Sequence, residues 1–185
     1  GSGRFWNPTD FTASEAKDPF ALYDQRLGRE MLKIHFPVEK QGFNYYAILQ
    51  LDDAARNDDL GLALRGEFAF AGSGEAALSV QKRRNAPLQA GLDLSSALGA
   101  IDVYTENAWS QGQQRNFFRG DLSPDTLALP ETYHDKNKTF IQSLVGTQYS
   151  YKYSADDYFT VGGEYFYNEL GYDNRNLELY SLLLG

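Results

Sequence analysis

The sequence predicts an all-β protein, an antiparallel up-and-down meander of the transmembrane β-barrel type with about nine strands. Three observations predict this fold class. Apolar and polar residues alternate from residue 30 onward, short and long connections alternate between the runs, and aromatic residues concentrate near the ends of the runs. Because successive side chains of a strand point to opposite faces, such alternation gives each strand one apolar face and one polar face.

Residues 1–29 show neither a helical nor a strand period. Asn7-Pro8 and Asp18-Pro19 are turn signals within this stretch. We expect an ordered loop that is anchored by its aromatic side chains, which are Phe5, Trp6, Phe11 and Phe20. The chain is therefore divided into this loop, residues 1–29, and a set of barrel strands, residues 30–185, interrupted by a long loop at 111–138.

The alternation is clearest in the run LGLALRGEFAFAG, residues 60–72. Leu62, Leu64 and Phe68 share one face of this run, whereas Arg65 and Glu67 share the other. The other predicted strands occupy residues 31–38, 43–52, 75–83, 87–96, 99–109, 140–153, 160–168 and 177–184.

The connections between these runs alternate in length. Tight turns are expected at 72–74, 96–97 and 154–156, and longer polar connections at 53–59 and 111–138. In a meander, alternate connections lie at the same end of the sheet. Transmembrane barrels have this asymmetry, with short turns at the periplasmic rim and longer loops outside, so residues 1–29 are expected on the extracellular side.

Two features favour a membrane barrel over a soluble fold. The polar faces carry many small residues, which suit a crowded lumen: Gly61, Ala63, Ala69, Ala71, Ala77, Gly91, Gly146 and Gly162. Aromatic residues at the strand ends would form interfacial girdles: Phe43, Tyr45, Phe68, Phe70, Trp109, Tyr149, Tyr151, Tyr165 and Tyr167. The alternative is a soluble β-sandwich or lipocalin-like barrel that turns its apolar face inward and binds an apolar ligand.

Charged residues on the polar faces are the candidates for lining a pore. They are Lys33, Arg65, Glu67, Glu75, Arg83, Asp93, Asp102, Glu106, Lys152 and Glu164. Rings of charge set the ion selectivity of a channel, and the excess of acidic residues in this set favours cations. The alternative is that these charges pair across strands and fill the lumen.

Composition and motifs argue against other function classes. The formal net charge of −8 argues against a nucleic-acid partner, and the absence of cysteine excludes disulfides and thiolate chemistry. The sequence has no metalloprotease, nucleophile-elbow or phosphate-loop motif, so we expect neither an enzyme nor a cofactor or metal site. The acidic stretch 52–59 is interpreted as a solvated loop, and the basic run 82–84 is a candidate contact for lipopolysaccharide phosphates.

Several segments resemble bacterial outer-membrane porin-like β-barrels. They are RFWNPTDF, DQRLGREMLKIHFPV, LALRGEFAF, VYTENAWSQG and VGTQYSYKYSADDYFTVGGEYFYNELGYD. The resemblance implies a bacterial outer-membrane location, a surround of lipid and lipopolysaccharide, and a channel for passive diffusion of small polar solutes. A closed structural barrel that anchors surface partners is the alternative. Since single-chain bacterial barrels have even strand numbers, an odd count predicts part of a larger barrel, completed by other strands of the chain or of another subunit.

Overall fold

Each alternating run from residue 31 to residue 168 forms a β-strand in the computed structural model. The structure describes residues 3, 8–11, 30–51, 60–70, 72–84, 86–112, 117–119, 131–133, 135–154 and 157–171. The strands are β1 (Met31–Val38), β2 (Phe43–Gln50), β3 (Gly61–Phe70), β4 (Gly74–Arg83), β5 (Leu88–Leu98), β6 (Ile101–Gln111), β7 (Phe117–Arg119), β8 (Glu131–Tyr133), β9 (Thr139–Lys152) and β10 (Tyr158–Asn168).

Eight of these strands form one antiparallel sheet in the order β1-β2-β3-β4-β5-β6-β9-β10. Every strand pairs with its neighbour along the chain, except that β6 pairs directly with β9. The intervening β7 and β8 form a separate two-stranded ribbon within the stretch 111–138, where the sequence predicted only a long loop. The all-β antiparallel meander is therefore confirmed; β1 and β10 lie at the two edges of the described sheet.

The turns follow from local backbone geometry. β1 and β2 are joined by a short 3-10 turn, Glu39–Gln41, which ends at Gly42 with φ 66°. The turn between β5 and β6 lies at residues 99–100, later than the predicted 96–97, so β5 continues to Leu98. The turn lies later because Gly99 adopts φ 68°, a left-handed conformation that residues with a Cβ atom rarely adopt. Ser95 and Ser96 continue the strand instead.

Strand register separates the side chains into a mostly apolar face and a mostly polar face, which continue across the sheet. Three polar residues, Lys82, Asn107 and Ser143, lie on the mostly apolar face. Leu49 pairs with Leu62, and Leu64 pairs with Val80, so apolar residues meet apolar residues from strand to strand. The exposed residues of this apolar face are Leu32, Ile34, Phe36, Tyr45, Leu49, Leu62, Leu64, Phe70, Leu78, Val80, Leu88, Leu94, Leu98, Ile101, Trp109, Ile141, Val145, Tyr149, Tyr151, Phe159, Val161, Tyr165 and Tyr167. The alternate residues form the polar face, among them Arg65, Asp93, Glu106 and Glu164.

Burial is the reverse of what a water-soluble sheet requires. Among the described residues, the buried hydrophobic side chains are three alanines with Phe140 and Leu144, all on the polar face. Gln50, Gln81 and Glu106 are completely or almost completely buried on that face as well. The leucines, valines and aromatic residues of the apolar face stay exposed instead.

Three sequence predictions concern residues outside this description. The predicted strand at 177–184 lies outside the described residues, as do Phe5, Trp6 and Phe20 of the first loop and residues 52–59. In the described part of the chain, no helix has the length and apolar character needed to cross a membrane.

Candidate functional site

All ten predicted pore-lining residues lie on the polar face. The strand register fixes this placement. Residues that pair across neighbouring strands lie on the same face of the sheet, and successive residues of one strand lie on opposite faces. Seven of them fall into three clusters, described in turn below. The other three lie apart from those clusters: Asp102 and Lys152 are exposed near the end of the sheet that carries the tight turns, and Arg83 lies at the opposite end.

The first cluster begins at the edge strand β1. The Lys33 Nζ lies 4.4 Å from the centre of the Tyr46 ring, a cation–π contact between neighbouring strands. The His35 ring stacks on the same tyrosine at 4.5 Å and forms a 2.9 Å hydrogen bond with the Asn44 side chain. The Tyr46 hydroxyl donates to Glu67 Oε2 at 3.1 Å, which links this aromatic group to the carboxylates further along the sheet.

Arg65 is the centre of the first cluster. Its Nε donates to Glu67 Oε1 at 2.8 Å, and its Nη1 donates to Asp93 Oδ2 at 2.7 Å. The same Nη1 reaches Ser79 Oγ at 2.9 Å. The Asp93 side chain is only 8% exposed, so its charge needs the guanidinium beside it. One arginine therefore connects β3, β4 and β5 through charge-assisted hydrogen bonds.

A cavity of about 350 Å³ opens beside this arginine. Polar and charged groups on its walls are Asn44, Arg65, Glu67, Glu75, Asp93 and Ser95. Three carboxylates face one guanidinium, so the local charge is negative although two of the carboxylates are paired. A concave site with this charge balance attracts cations and repels anions.

The second cluster lies on β6, β9 and β10. The Tyr104 hydroxyl donates to Glu164 Oε1 at 2.8 Å. Its ring lies directly over Gly146, where a Cβ atom would overlap the ring carbons. The glycine on the central strand of these three therefore makes room for the tyrosine that bridges them.

The third cluster joins the start of the chain to the sheet. Glu106 is completely buried, and its carboxylate accepts hydrogen bonds from Gly3 and Thr9. Phe11 lies over Gly91 on the adjacent strand. Of the aromatic anchors predicted in the first loop, Phe11 is the one within the described residues, and it contacts the polar face.

The predicted girdle residues lie on the apolar face. Most of them are near the tight-turn end: Phe43, Tyr45, Phe68, Phe70, Tyr149 and Tyr151. Trp109 and Tyr167 lie near the opposite end, and Tyr165 lies between the two ends. The Phe68 ring makes edge-on contacts with Phe43 at 5.2 Å and with Tyr45 at 6.0 Å. The aromatic band is therefore denser at the tight-turn end.

Sequence reasoning did not select several residues of these clusters, among them Tyr46, Tyr104, Gly3 and Thr9. Tyr46 and Tyr104 had the right parity for the polar face, and the glycine opposite Tyr104 was a sign that a large ring needed space. Gly3 and Thr9 had no such sign, because their contacts with Glu106 span about a hundred residues of sequence.

Comparison with known proteins gives no relative: no family model, no curated protein and no solved structure matches this chain. Within the described ranges, no group of three or more His, Asp or Glu residues is arranged to hold a metal ion.

Proposed function

We propose that the chain forms the wall of a porin-like β-barrel in a bacterial outer membrane and allows small polar solutes to diffuse through it. The observation that carries this proposal is the exposed apolar face, which extends across all eight strands of the sheet. The polar face, with its charged clusters, lines the solute path. The protein performs no covalent chemistry and needs no cofactor in this role.

The energetic argument rests on Leu32, Ile34 and Phe36 of β1, whose exposures are 55%, 61% and 65%. Burying one such side chain is worth roughly 1.5–3 kcal/mol, so a water-soluble sheet gains by turning this face inward. In the described sheet, the side chains that are completely or almost completely buried lie on the polar face instead, among them Gln50, Gln81 and Glu106. Lipid is the solvent in which the exposed leucines and aromatic rings are stable, and a barrel is the form in which strands can satisfy their backbone groups there.

Refolding with and without detergent micelles tests this proposal first. Far-ultraviolet circular dichroism and the mobility of an unboiled sample on a gel report the folded sheet. We expect a β spectrum and a shifted band only when micelles are present. A monomeric β-protein in plain buffer would contradict the proposal and favour the soluble alternative with an internal apolar ligand.

Ion selectivity is the second test. We propose a mild preference for cations, because six carboxylates and four basic groups lie among the predicted wall residues. Replacing the exposed wall carboxylates, Glu75→Gln and Asp102→Asn, is expected to shift the reversal potential in a salt gradient toward anions. Glu39→Gln, in the turn after β1, removes the same charge away from the wall and is expected to leave the reversal potential unchanged. Equal shifts in both variants would contradict a charge-lined path.

A second candidate function is a closed barrel that anchors partners at the cell surface. The ion pairs of Arg65 and the hydrogen bond from Tyr104 to Glu164 favour it, since paired wall charges fill a lumen. Single-channel recording in planar bilayers distinguishes the two candidates. A folded, inserted protein that carries no current supports the anchoring role.

A further inference from the structure

The strongest unexplained feature is the contact between the start of the chain and Glu106 on β6. Gly3 N donates to Glu106 Oε1 at 2.6 Å. Thr9 reaches the other oxygen, with its hydroxyl at 2.9 Å from Oε2 and its backbone N–H at 3.4 Å. We name Gly3 together with residues 8–11 the N-terminal clasp.

The wall of the sheet is shaped to receive this clasp. Gly91 lies on β5 opposite Ala108 of β6, so the two smallest side chains face each other here. A Cβ atom at Gly91 would lie 3.0 Å from the Thr9 methyl and 3.1 Å from the Phe11 ring. The missing side chain therefore creates the shallow depression in which Thr9 and Phe11 rest.

Burial makes the contact costly to break. The exposure of Glu106 is 0% and that of Thr9 is 5%, so neither group is solvated by water. A carboxylate removed from water is stable only where donors replace its hydration. Three of those donors come from the clasp. Removing the carboxylate takes away the acceptor of these hydrogen bonds from Gly3 and Thr9. Removing the clasp takes away three donors to a buried carboxylate.

We propose that Glu106 is a latch that holds the N-terminal clasp against the polar face, and that the clasp narrows the solute path along β5 and β6. The inference rests on the proposed function, because a narrowed path requires a lumen on the polar face. It goes further than that function by assigning an autoinhibitory contact to one carboxylate. Release of the clasp is expected to widen the path without a change in the sheet.

The placement of the clasp is tested by hydrogen exchange in micelles, which needs no channel activity and no change in the clasp itself. The Phe11 N–H donates to the Thr9 carbonyl at 3.0 Å, a hydrogen bond within the clasp that does not involve Glu106. We expect this N–H to exchange slowly in the unsubstituted protein and faster in Glu106→Ala, because release of the clasp exposes it to water. Equal exchange rates in the two proteins would overturn the latch.

The narrowing is tested by single-channel current. Glu106→Ala is expected to increase the current relative to the unsubstituted protein. Glu39→Ala is the control, because it removes a carboxylate in the turn after β1, outside the clusters of the polar face, and is expected to leave the current unchanged. Glu106→Gln keeps one acceptor oxygen for the clasp and is expected to raise the current less than Glu106→Ala does. An unchanged current in Glu106→Ala, with faster exchange of the Phe11 N–H, would overturn the narrowing.

Folding is checked first by circular dichroism and gel mobility in micelles. If Glu106→Ala does not fold, Thr9→Val with Phe11→Ala releases the clasp while the carboxylate stays, and the same rise in current is expected. If no variant carries current although the exchange of the Phe11 N–H depends on Glu106, the channel proposal fails and the narrowing fails with it. The contact between Glu106 and the clasp is then part of a closed barrel.

Discussion

Gly146 has no side chain, and the ring of Tyr104 occupies the space where a Cβ atom would lie. The ring lies over the glycine and carries its hydroxyl to Glu164 at 2.8 Å. A methyl group at position 146 must displace the ring, and the hydrogen bond is lost with it. The polar face is crowded at this point, as the sequence predicted from its many small residues, but the identity of the covering ring required the strand register.

The first prediction is that Gly146→Ala destabilises the folded protein by about 1–3 kcal/mol, the usual cost of overpacking a filled site. Denaturant unfolding in micelles measures the change. Gly163→Ala is the matched control. A Cβ atom at Gly163 meets no atom within 4 Å, so this change is expected to have little effect. Equal losses of stability in the two variants would show that the Tyr104 contact is unimportant.

At the scale of residues, the sequence predicts which face a side chain lies on but not which side chain it contacts. All ten predicted pore-lining charges could be assigned to one face from parity alone, since strand alternation fixes the face. Their partners could not be assigned. Arg65 reaches Asp93 on a strand that is not its neighbour, and only the relative shift of β3, β4 and β5 brings these groups to 2.7 Å.

At the scale of elements, strand position was well predicted and connections less so. The eight sheet strands match the alternating runs, because a face buried on one side gives a strong period of two. The ribbon of β7 and β8 was missed, since its strands of three residues are too short to show any period. The turn after β5 was misplaced because Ser95 and Ser96 suggest a turn as readily as Gly99 does.

Glu169 connects the start of β9 to the end of β10, at the end of the sheet away from the tight turns. Its Oε1 pairs with Lys138 Nζ at 2.9 Å, and its Oε2 accepts from the Ile141 N–H at 3.0 Å. Its own N–H donates to the Ile141 carbonyl at 3.0 Å, which continues the ladder past the end of β10. The hydrogen bond from Lys138, followed by that from Ile141, lowers the pKa of the Glu169 carboxyl from its ordinary value.

The second prediction concerns the pH dependence of stability. A carboxyl whose pKa is lowered by folding stabilises the folded state above its unfolded pKa, and this contribution is lost as the pH falls through the lowered value. Glu169→Gln is therefore expected to reduce stability at neutral pH and to make less difference in acid. Unfolding of both proteins across this pH range measures the difference. The same pH profile in Glu39→Gln, an exposed turn carboxyl, would contradict a role for this ion pair.

For the whole molecule, the decisive property is the distribution of apolar surface. Among the described residues, the large apolar side chains are mostly exposed, while Gln50, Gln81 and Glu106 are buried. The sequence predicted two contrasting faces and favoured lipid for the apolar face, with a soluble β-sandwich or lipocalin-like barrel as the alternative. The exposed apolar face and the buried polar side chains are the observations that support the proposed contact with lipid.

The last prediction tests that assignment with one charge placed on either face of β9. Val145 lies at the middle of the strand and is 58% exposed on the apolar face. An arginine near the middle of a bilayer costs about 2–4 kcal/mol, so Val145→Arg is expected to reduce folding into lipid vesicles by that amount. Gln148→Arg adds the same charge to the polar face of the same strand, where water or polar groups solvate it, and is expected to fold nearly as well as the unsubstituted protein. Reversible denaturant titration in vesicles compares the two. If Gln148→Arg were the more damaging change, the apolar face would be the packed side of a soluble fold, and lipid would have to be replaced by protein or ligand as its partner.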